Sequence, residues 1–139
     1  MRAYTQFMSP PCHCTRLRIA TRKMTALYDT ALAPTGINVA QFSILRTIER
    51  RQPVSLTELG RLLALDRSTM GRNVRVLEKQ GLVTLGRGKD QREAAASLTE
   101  TGTATLRAAE PLWEDCQTDM GRRLGAERLA LLAELNQLL

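Results

Sequence analysis

The side chains best suited to binding a polyanion are concentrated in residues 65–83. This segment is rich in Arg, Lys, Ser, Thr and Asn, whose side chains donate hydrogen bonds to phosphates and to base edges. Met70, Val74 and Leu77 follow helical spacing and form one apolar side, which leaves the polar residues on the outer side. Asp66 is suited to cap the start of this helix. An ordinary surface helix is the alternative, because an exposed side is normally charged.

The distribution of charge favours the polyanion-binding interpretation. The 139 residues include 20 Lys or Arg and 14 Asp or Glu, for a formal net charge of +6. Residues 61–92 hold eight Lys or Arg against three Asp or Glu, whereas the rest of the chain holds twelve against eleven. The positive field is therefore concentrated around the predicted helix, as a nucleic-acid-binding surface requires.

Cys12-His13-Cys14 is a second place where reactive side chains are adjacent. Zinc binding is disfavoured, because one residue between the cysteines is shorter than the usual ligand spacing and no second pair exists. A redox switch is the better functional interpretation, since a helix N-terminus lowers the pKa of a thiol. Packing of two small residues at a helix start is the alternative. Cys116 falls in an apolar seam and is expected in the core.

The composition indicates one compact domain with helical extensions. Apolar residues make up 43% of the chain and aromatic residues only 4%, with Leu, Ala, Val and Met predominating, which favours helices. No apolar run approaches the roughly 18 residues of a membrane span, and no secretory signal pattern is present. Three cysteines do not make a disulfide framework. We therefore expect a cytoplasmic protein with no membrane partner, no metal and no cofactor.

Apolar spacing predicts two helices before the basic segment. The first covers residues 12–32 and is broken at residues 33–36, where proline and glycine oppose helix continuation. Asn38 then caps a second helix together with Gln41, in a capping box that ends near residues 50–53. The buried stripe of this second helix is predicted to contain Phe42, Leu45 and Ile48.

A short helix immediately precedes the basic segment. Ser55-Leu-Thr-Glu58 is a capping-box pattern that opens a helix to about Leu62, followed by a turn at residues 63–66. Two short helices joined by such a turn predict a helix-turn-helix, for which a generic helical hairpin is the alternative.

The basic segment ends at Gly81 and is followed by a predicted β-hairpin. Residues 82–85 and 94–98 are strand-like, and the loop between them is rich in glycine and basic residues. A basic hairpin after a helix-turn-helix forms a wing that can contact phosphates or a minor groove. The alternative is a solvated turn that happens to be basic. This alternative would have to explain the basic residues of the helix and of the hairpin together.

The C-terminal region is predicted to form two further helices. Thr99 caps the first, which runs to about Leu124 with a kink near residues 107–111, because Pro111 lacks an amide proton. The second covers residues 126–138. The apolar seams at both ends of the chain favour a homodimer with two DNA-contacting helices about one DNA turn apart. In the alternative arrangement, the two seams cover one another within a monomer.

Six motifs in this order resemble the multiple antibiotic resistance regulator (MarR) family of bacterial transcription factors. They are Ala40-Gln-Phe-Ser-Ile-Leu45, Leu56-Thr-Glu-Leu59, Asp66-Arg-Ser-Thr69, Leu77-Glu-Lys-Gln-Gly-Leu-Val83, Asp90-Gln-Arg92 and Leu98-Thr-Glu-Thr-Gly102. The resemblance implies a mainly α fold with a small β-hairpin wing. It divides the chain into an N-terminal arm and dimerisation helix (1–37), a winged helix-turn-helix domain (38–98) and C-terminal dimerisation helices (99–139). It also implies a dimeric repressor of a palindromic DNA site, released by a small anionic or phenolic ligand or by cysteine oxidation.

The resemblance also implies roles for individual residues. Ser68, Thr69 and Arg72 would face the major groove, where Arg pairs with guanine and Asn73 with adenine. Arg92 would be the wing arginine, oriented by Asp90. Gly71 departs from the family pattern, and either close approach of DNA or a tight contact with a neighbouring helix would explain it. The full set expected to bind DNA is Arg67, Ser68, Thr69, Arg72, Asn73, Arg75, Arg87, Lys89 and Arg92.

Sensing is expected at the start of the first helix. Organic-hydroperoxide repressors of this family carry a reactive cysteine there, polarised by tyrosines, for which Tyr4 and Tyr28 are the candidates. The residues expected to sense an oxidant or to anchor an anionic ligand are Cys12, His13, Cys14, Arg16 and Arg18. A protein-interaction module and a thiol peroxidase are the alternative functions. We expect no enzyme, because a single histidine and no nucleotide or metal motif leave little catalytic machinery.

Overall fold

The computed structural model describes residues 11–88 and 92–139, which form five α-helices and a small antiparallel sheet. The first two helices are separated by a 3₁₀ turn at Ala33–Thr35. The predicted fold class, mainly α with a small β-hairpin wing, is confirmed. The elements in chain order are α1 (His13–Leu32), α2 (Val39–Arg51), β1 (Val54–Ser55), α3 (Leu56–Leu63), α4 (Arg67–Lys79), β2 (Val83–Arg87), β3 (Ala94–Leu98) and α5 (Glu100–Leu138).

Helix α2 begins at the predicted capping box. The Asn38 side chain accepts a hydrogen bond from the Gln41 backbone N–H at 2.9 Å, and the Gln41 side chain accepts one from the Asn38 N–H at 3.0 Å. The Val39 N–H donates to Asp29 Oδ1 of α1 at 2.9 Å. The free amides at this helix start are therefore shared between a local cap and a neighbouring helix.

Two capped helices form the predicted helix-turn-helix. The Ser55 side chain accepts from the Glu58 N–H at 3.1 Å, but the Glu58 carboxylate pairs with Arg61 instead of completing the predicted capping box. Helix α3 and the turn after it approach closely, because a Cβ on Gly60 of α3 would lie 2.7 Å from the Leu65 carbonyl oxygen. This close approach requires glycine at residue 60. Helix α4 then begins at the Asp66 cap.

The wing is part of a three-stranded sheet in the order β1-β3-β2. Strand β3 pairs with both neighbours through Ala96, opposite Val54 in β1 and Leu85 in β2. Strand β1 was not predicted, because two residues are too few to show alternation. Strand β2 covers 83–87 instead of the predicted 82–85, and β3 matches the prediction.

The main core lies between helices α2 to α4, the sheet and the first turns of α5. Its fully buried side chains include the predicted stripes of α2 and α4. Helix α5 packs closely on the sheet, because a Cβ on Gly102 would lie 2.0 Å from the Leu82 carbonyl oxygen. The largest members of the core are Phe42, Leu32, Ile44, Leu45, Ile48, Leu59, Met70, Leu77 and Leu106.

Helix α5 departs from helical dihedral angles at Gly125 (φ 78°, ψ 163°). This break separates residues 100–124 from residues 126–138, as the two predicted helices require. The backbone dihedral angles stay helical near residues 107–111, where a kink was expected at Pro111. The φ of proline is compatible with a helix, whereas a positive φ is accessible without strain only to glycine.

A smaller cluster joins α1 to α5. Tyr28, Cys116 and Met120 are buried together, which confirms the core position expected for Cys116. Residues 11–20 and most of residues 126–139 are exposed, so a single chain leaves much of its terminal apolar seams uncovered. None of the described helices is long and apolar enough to cross a membrane. The exposed apolar side chains at the two ends are Leu17, Ile19, Leu27, Leu129, Leu131, Leu132, Leu138 and Leu139.

Candidate nucleic-acid interface

The outer side of α4 presents most of the side chains that were predicted to bind nucleic acid. Its inner side is committed to the core, because Met70, Val74 and Leu77 have no exposed surface. The helix therefore cannot rotate without exposing apolar surface, and its outer side is fixed. The exposed members of the predicted set on α4 are Arg67, Ser68, Arg72 and Arg75, and the half-buried members are Thr69 and Asn73.

A chain of hydrogen bonds holds Arg72 against the start of α4. Asp66 Oδ1 accepts from the Thr69 N–H at 2.8 Å, and the Thr69 hydroxyl donates to Asp66 Oδ2 at 2.8 Å. Arg72 Nη2 donates to Thr69 Oγ1 at 3.3 Å. The Thr69 amide and hydroxyl, with the charge of Arg72, lower the pKa of the Asp66 carboxyl. The ionised cap therefore orders Arg72, whose guanidinium has five N–H donors in all.

The wing carries Arg87 and Arg92, both exposed, near the ends of β2 and β3. Lys89 and the predicted orienting residue Asp90 lie outside the described residues. At the loop end of the hairpin, Glu93 Oε1 accepts a hydrogen bond from the Thr57 N–H of α3 at 3.3 Å. Glu93 was missed by sequence reasoning, because the contact joins residues 36 positions apart. It ties the wing to the first helix of the helix-turn-helix.

Gly71 lies on α4 without a close neighbour from another element. A Cβ added at this residue would meet nothing within 4 Å outside its own helix backbone. The interpretation of Gly71 as a tight contact with a neighbouring helix is therefore wrong. Packing within the protomer does not require glycine at this position.

Helix α2, which supports α4, is also tied to α5. Phe42 stacks on Trp113 with 5.4 Å between ring centroids and 25° between ring planes. Arg107 of α5 pairs with Glu49 of α2 at 2.8 Å and with Glu110 at 2.9 Å. These contacts were not predicted, because helical spacing identifies buried sides but not their partners. They connect the helix-turn-helix to the helix that continues into the exposed C-terminal seam.

Cys12 is exposed and occupies the N-cap position of α1. The Thr15 backbone amide lowers the pKa of the Cys12 thiol, followed by the Thr15 hydroxyl and the Cys14 amide, although the amide does not complete a cap hydrogen bond. Cys14, His13 and Arg16 are exposed on the first turns of the same helix. In the described chain no three His, Cys, Asp or Glu side chains are grouped as metal ligands would be.

Tyr28 does not lie near Cys12 of the same protomer. Its hydroxyl donates to Gln117 Oε1, and its ring packs against Cys116 in the α1–α5 cluster. Tyr28 lies four turns along α1 from the cap, about 24 Å by helical rise. Burial raises the pKa of Tyr28, and burial likewise raises that of Cys116. The other candidate, Tyr4, lies outside the described residues.

A groove of about 290 Å³ runs between α1 and α5 beside this cluster. It offers an apolar floor with Arg123 and two carboxylates at its edge. His13, Arg16 and Arg18, which were predicted as anion anchors, are not among its lining residues. The lining residues are Leu27, Thr30, Ala31, Leu112, Asp115, Cys116, Asp119, Met120 and Arg123.

Several known proteins are similar to this chain in sequence and fold. Residues 35–93 match the family model described as MarR family. The M. tuberculosis transcriptional regulator MosR, whose crystal structure in complex with DNA is known, is 34% identical with a TM-score of 0.83, over 92% of this chain and 96% of that chain. A mutant of MarR from E. coli, solved in complex with operator DNA, is 25% identical with a TM-score of 0.78, over 88% of this chain and 89% of that chain.

A curated relative is also similar in sequence. The organic hydroperoxide resistance transcriptional regulator of Bacillus subtilis is 31% identical over 90 residues, which cover 64% of this chain and 61% of the relative's length. The family match includes the helix-turn-helix and most of the wing, and the likeness to MosR extends over nearly the whole chain. The chain therefore belongs to the MarR family of winged helix-turn-helix transcriptional regulators.

Proposed function

We propose that the protein binds a near-palindromic promoter site in double-stranded DNA as a homodimer and represses transcription from it. The observation that supports this most directly is the two-sided character of α4. Three side chains without exposed surface fix its inner side, and its outer side presents the Asp66–Thr69–Arg72 chain. A helix held in this way can enter a major groove in one orientation.

The roles of the residues follow from their positions. Ser68, Thr69, Arg72 and Asn73 read base edges, because they share the outer side of α4 or its edge. Arg67 and Arg75 neutralise phosphates. In the wing, Arg87, Lys89 and Arg92 contact the backbone or the minor groove, with Asp90 as the orienting residue.

Dimerisation uses residues 1–37 and 99–139, and the DNA-binding domain is residues 38–98. The supporting observation is that both terminal seams expose leucine, with Leu27 and Leu129 among the uncovered residues. A second copy would remove this apolar surface from water. Two-fold symmetry would set the two α4 helices about 34 Å apart, one turn of DNA.

Oxidation of Cys12 is the proposed signal for release. An organic hydroperoxide transfers one oxygen atom to the Cys12 thiolate, which becomes sulfenic acid while the peroxide is reduced to an alcohol. A second thiol can then condense with the sulfenic acid to form a disulfide and water. The lowered pKa of Cys12 supports this role, since the thiolate is the nucleophile. A small ligand in the α1–α5 groove is the alternative signal.

Footprinting of neighbouring intergenic DNA tests the proposal. We expect protection of a near-palindrome, with binding that weakens steeply as salt rises because phosphate contacts release counterions. Hydroperoxide should abolish protection, reductant should restore it, and Cys12→Ser should remain bound throughout. Absence of binding to this DNA and to pooled genomic DNA at low salt would refute the proposal.

The proposal includes no catalytic activity. Its oxidation step occurs once per thiol, so sustained peroxide turnover would instead indicate a thiol peroxidase. A protein-interaction module would retain its function when Arg72 and Arg92 are replaced together. A regulator of transcription works where the chromosome lies, so we also propose a cytoplasmic location.

A further inference from the structure

Val76 is an apolar residue on the polar side of α4. Its side chain is 47% exposed, whereas Met70, Val74 and Leu77 have no exposed surface and fill the core without it. All of α4 is described, and no other large apolar side chain of this helix is exposed. Valine is also a poorer helix former than alanine or most charged residues. Neither the core nor helix formation accounts for valine at this position.

Val76 continues the row of residues that are proposed to read bases. Thr69, Arg72, Asn73 and Val76 are spaced by three and four residues, so they lie along one side of the helix. Asn73 and Val76 also line the same groove of about 210 Å³, beside the start of α2. A partner that contacts Arg72 and Asn73 therefore comes next to the valine methyl groups.

We propose that Val76 contacts the C5-methyl group of a thymine in the DNA site, and thereby contributes to sequence specificity. This inference rests on the proposed function and assigns a further residue to the same surface. The thymine methyl is the apolar group that a base pair presents in the major groove. The basic neighbours of Val76 match the charge of DNA better than that of an apolar protein partner.

The geometry of the helix also specifies where this thymine lies. Thr69 and Val76 are seven residues apart, a rise of about 10 Å along the axis. Base pairs rise about 3.4 Å each along the DNA axis, to which the groove is inclined, so α4 spans at most about three steps between these residues. The thymine is therefore expected within about three base pairs of the base nearest Thr69.

The test replaces single thymines of the footprinted site with deoxyuridine, which removes only the methyl group. We expect one symmetric pair of positions at which this change weakens wild-type binding about two- to fivefold, as burial of one methyl group per half-site implies. Val76→Ala loses the contact in both half-sites, so it should bind the unmodified site more weakly by about the square of that factor, and it should be insensitive to deoxyuridine at that pair.

Two controls separate this role from a structural one. Val76→Ala should unfold at the same temperature as wild type or higher, since alanine favours the helix. Val76→Thr keeps the shape but replaces one methyl group with a hydroxyl, so it should keep only part of the methyl dependence. The inference is overturned if deoxyuridine has equal effects on wild type and Val76→Ala at every thymine. Because wild-type binding to the unmodified site is measured in parallel, this result would leave the proposed function intact.

Discussion

The guanidinium carbon of Arg46 lies 4.5 Å from the centroid of the Trp113 ring. Phe42 stacks on the same tryptophan, and Arg46 lies 6.0 Å from the Phe42 ring centroid. The cation and the two rings therefore join α2, which carries the helix-turn-helix, to α5. Such a contact holds the orientation of α4 relative to the helices that are proposed to form the dimer.

Replacing Arg46 tests this connection through the single tryptophan of the chain. We expect Arg46→Ala to shift Trp113 fluorescence to longer wavelength as the ring meets water, and to cost about 0.5–1 kcal/mol of stability. The free energy of unfolding is measured by urea denaturation. Arg51→Ala, at an exposed position of the same helix and outside the cleft that Trp113 lines, is the control and should leave the emission unchanged. Unshifted emission in Arg46→Ala would contradict the contact.

Arg72 and Arg92 are expected to have separable effects on DNA binding. Arg72→Ala should weaken binding to the specific site by about 1–3 kcal/mol and relax its sequence preference, as loss of a base contact does. Arg92→Ala should weaken binding to all sequences. It should also reduce the slope of the logarithm of the binding constant against the logarithm of salt concentration by about one. Fluorescence anisotropy with specific and random duplexes measures both. Arg128→Ala also removes one positive charge, but from the C-terminal helix. It is therefore the control for a change in net charge alone.

The reactivity of Cys12 should depend on Thr15. Because the pKa of Cys12 is lowered, its thiol ionises at a lower pH than an ordinary thiol does. The rate of alkylation by iodoacetamide should therefore reach half its maximum at a lower pH than for an ordinary thiol. Thr15→Val removes the hydroxyl but keeps the amide, so its profile should move partway to higher pH. Mass spectrometry of the labelled peptide gives the rates. Identical profiles would show that the Thr15 hydroxyl does not stabilise the thiolate.

Two glycines are expected to respond oppositely to alanine. Gly71→Ala should stabilise the protein by about 0.5–1 kcal/mol, because no neighbour opposes a Cβ and glycine is costly within a helix. Gly102→Ala should destabilise it by about 1–3 kcal/mol, because its Cβ would overlap the Leu82 carbonyl oxygen. Thermal denaturation distinguishes them. Weaker DNA binding by a stabilised Gly71→Ala would support close approach of DNA at this residue.

Local chemistry made much of the fold predictable. The Asn38–Gln41 box, the Asp66 cap and the Gly81 stop act within a few residues, so their signals are complete in the sequence. Gly81 adopts a φ of 74°, as expected for a residue that ends a helix. The buried side of α4 was predictable for the same reason, since helical spacing alone determines which side chains share a side.

Local preference predicted two interruptions in α5, a kink near residues 107–111 and a boundary between two helices at Gly125. Pro111 and Gly125 both disfavour a helix interior, and the folded structure shows that the dihedral angles change at Gly125. Strand β1, by contrast, was not predictable, because β3 supplies the partners for two residues with no periodic pattern of their own. Pairing with a distant strand selects a conformation that local preference leaves open.

The sequence by itself determined the order of the elements, the apolar side of each helix and the basic character of residues 61–92. Tertiary structure alone decided that Trp113 meets Arg46, that Glu93 reaches Thr57, and that Tyr28 lies with Cys116 instead of Cys12. The physical reason is range. Caps, turns and helical spacing act over one or two turns, whereas these contacts join residues far apart in sequence and depend on how whole elements pack.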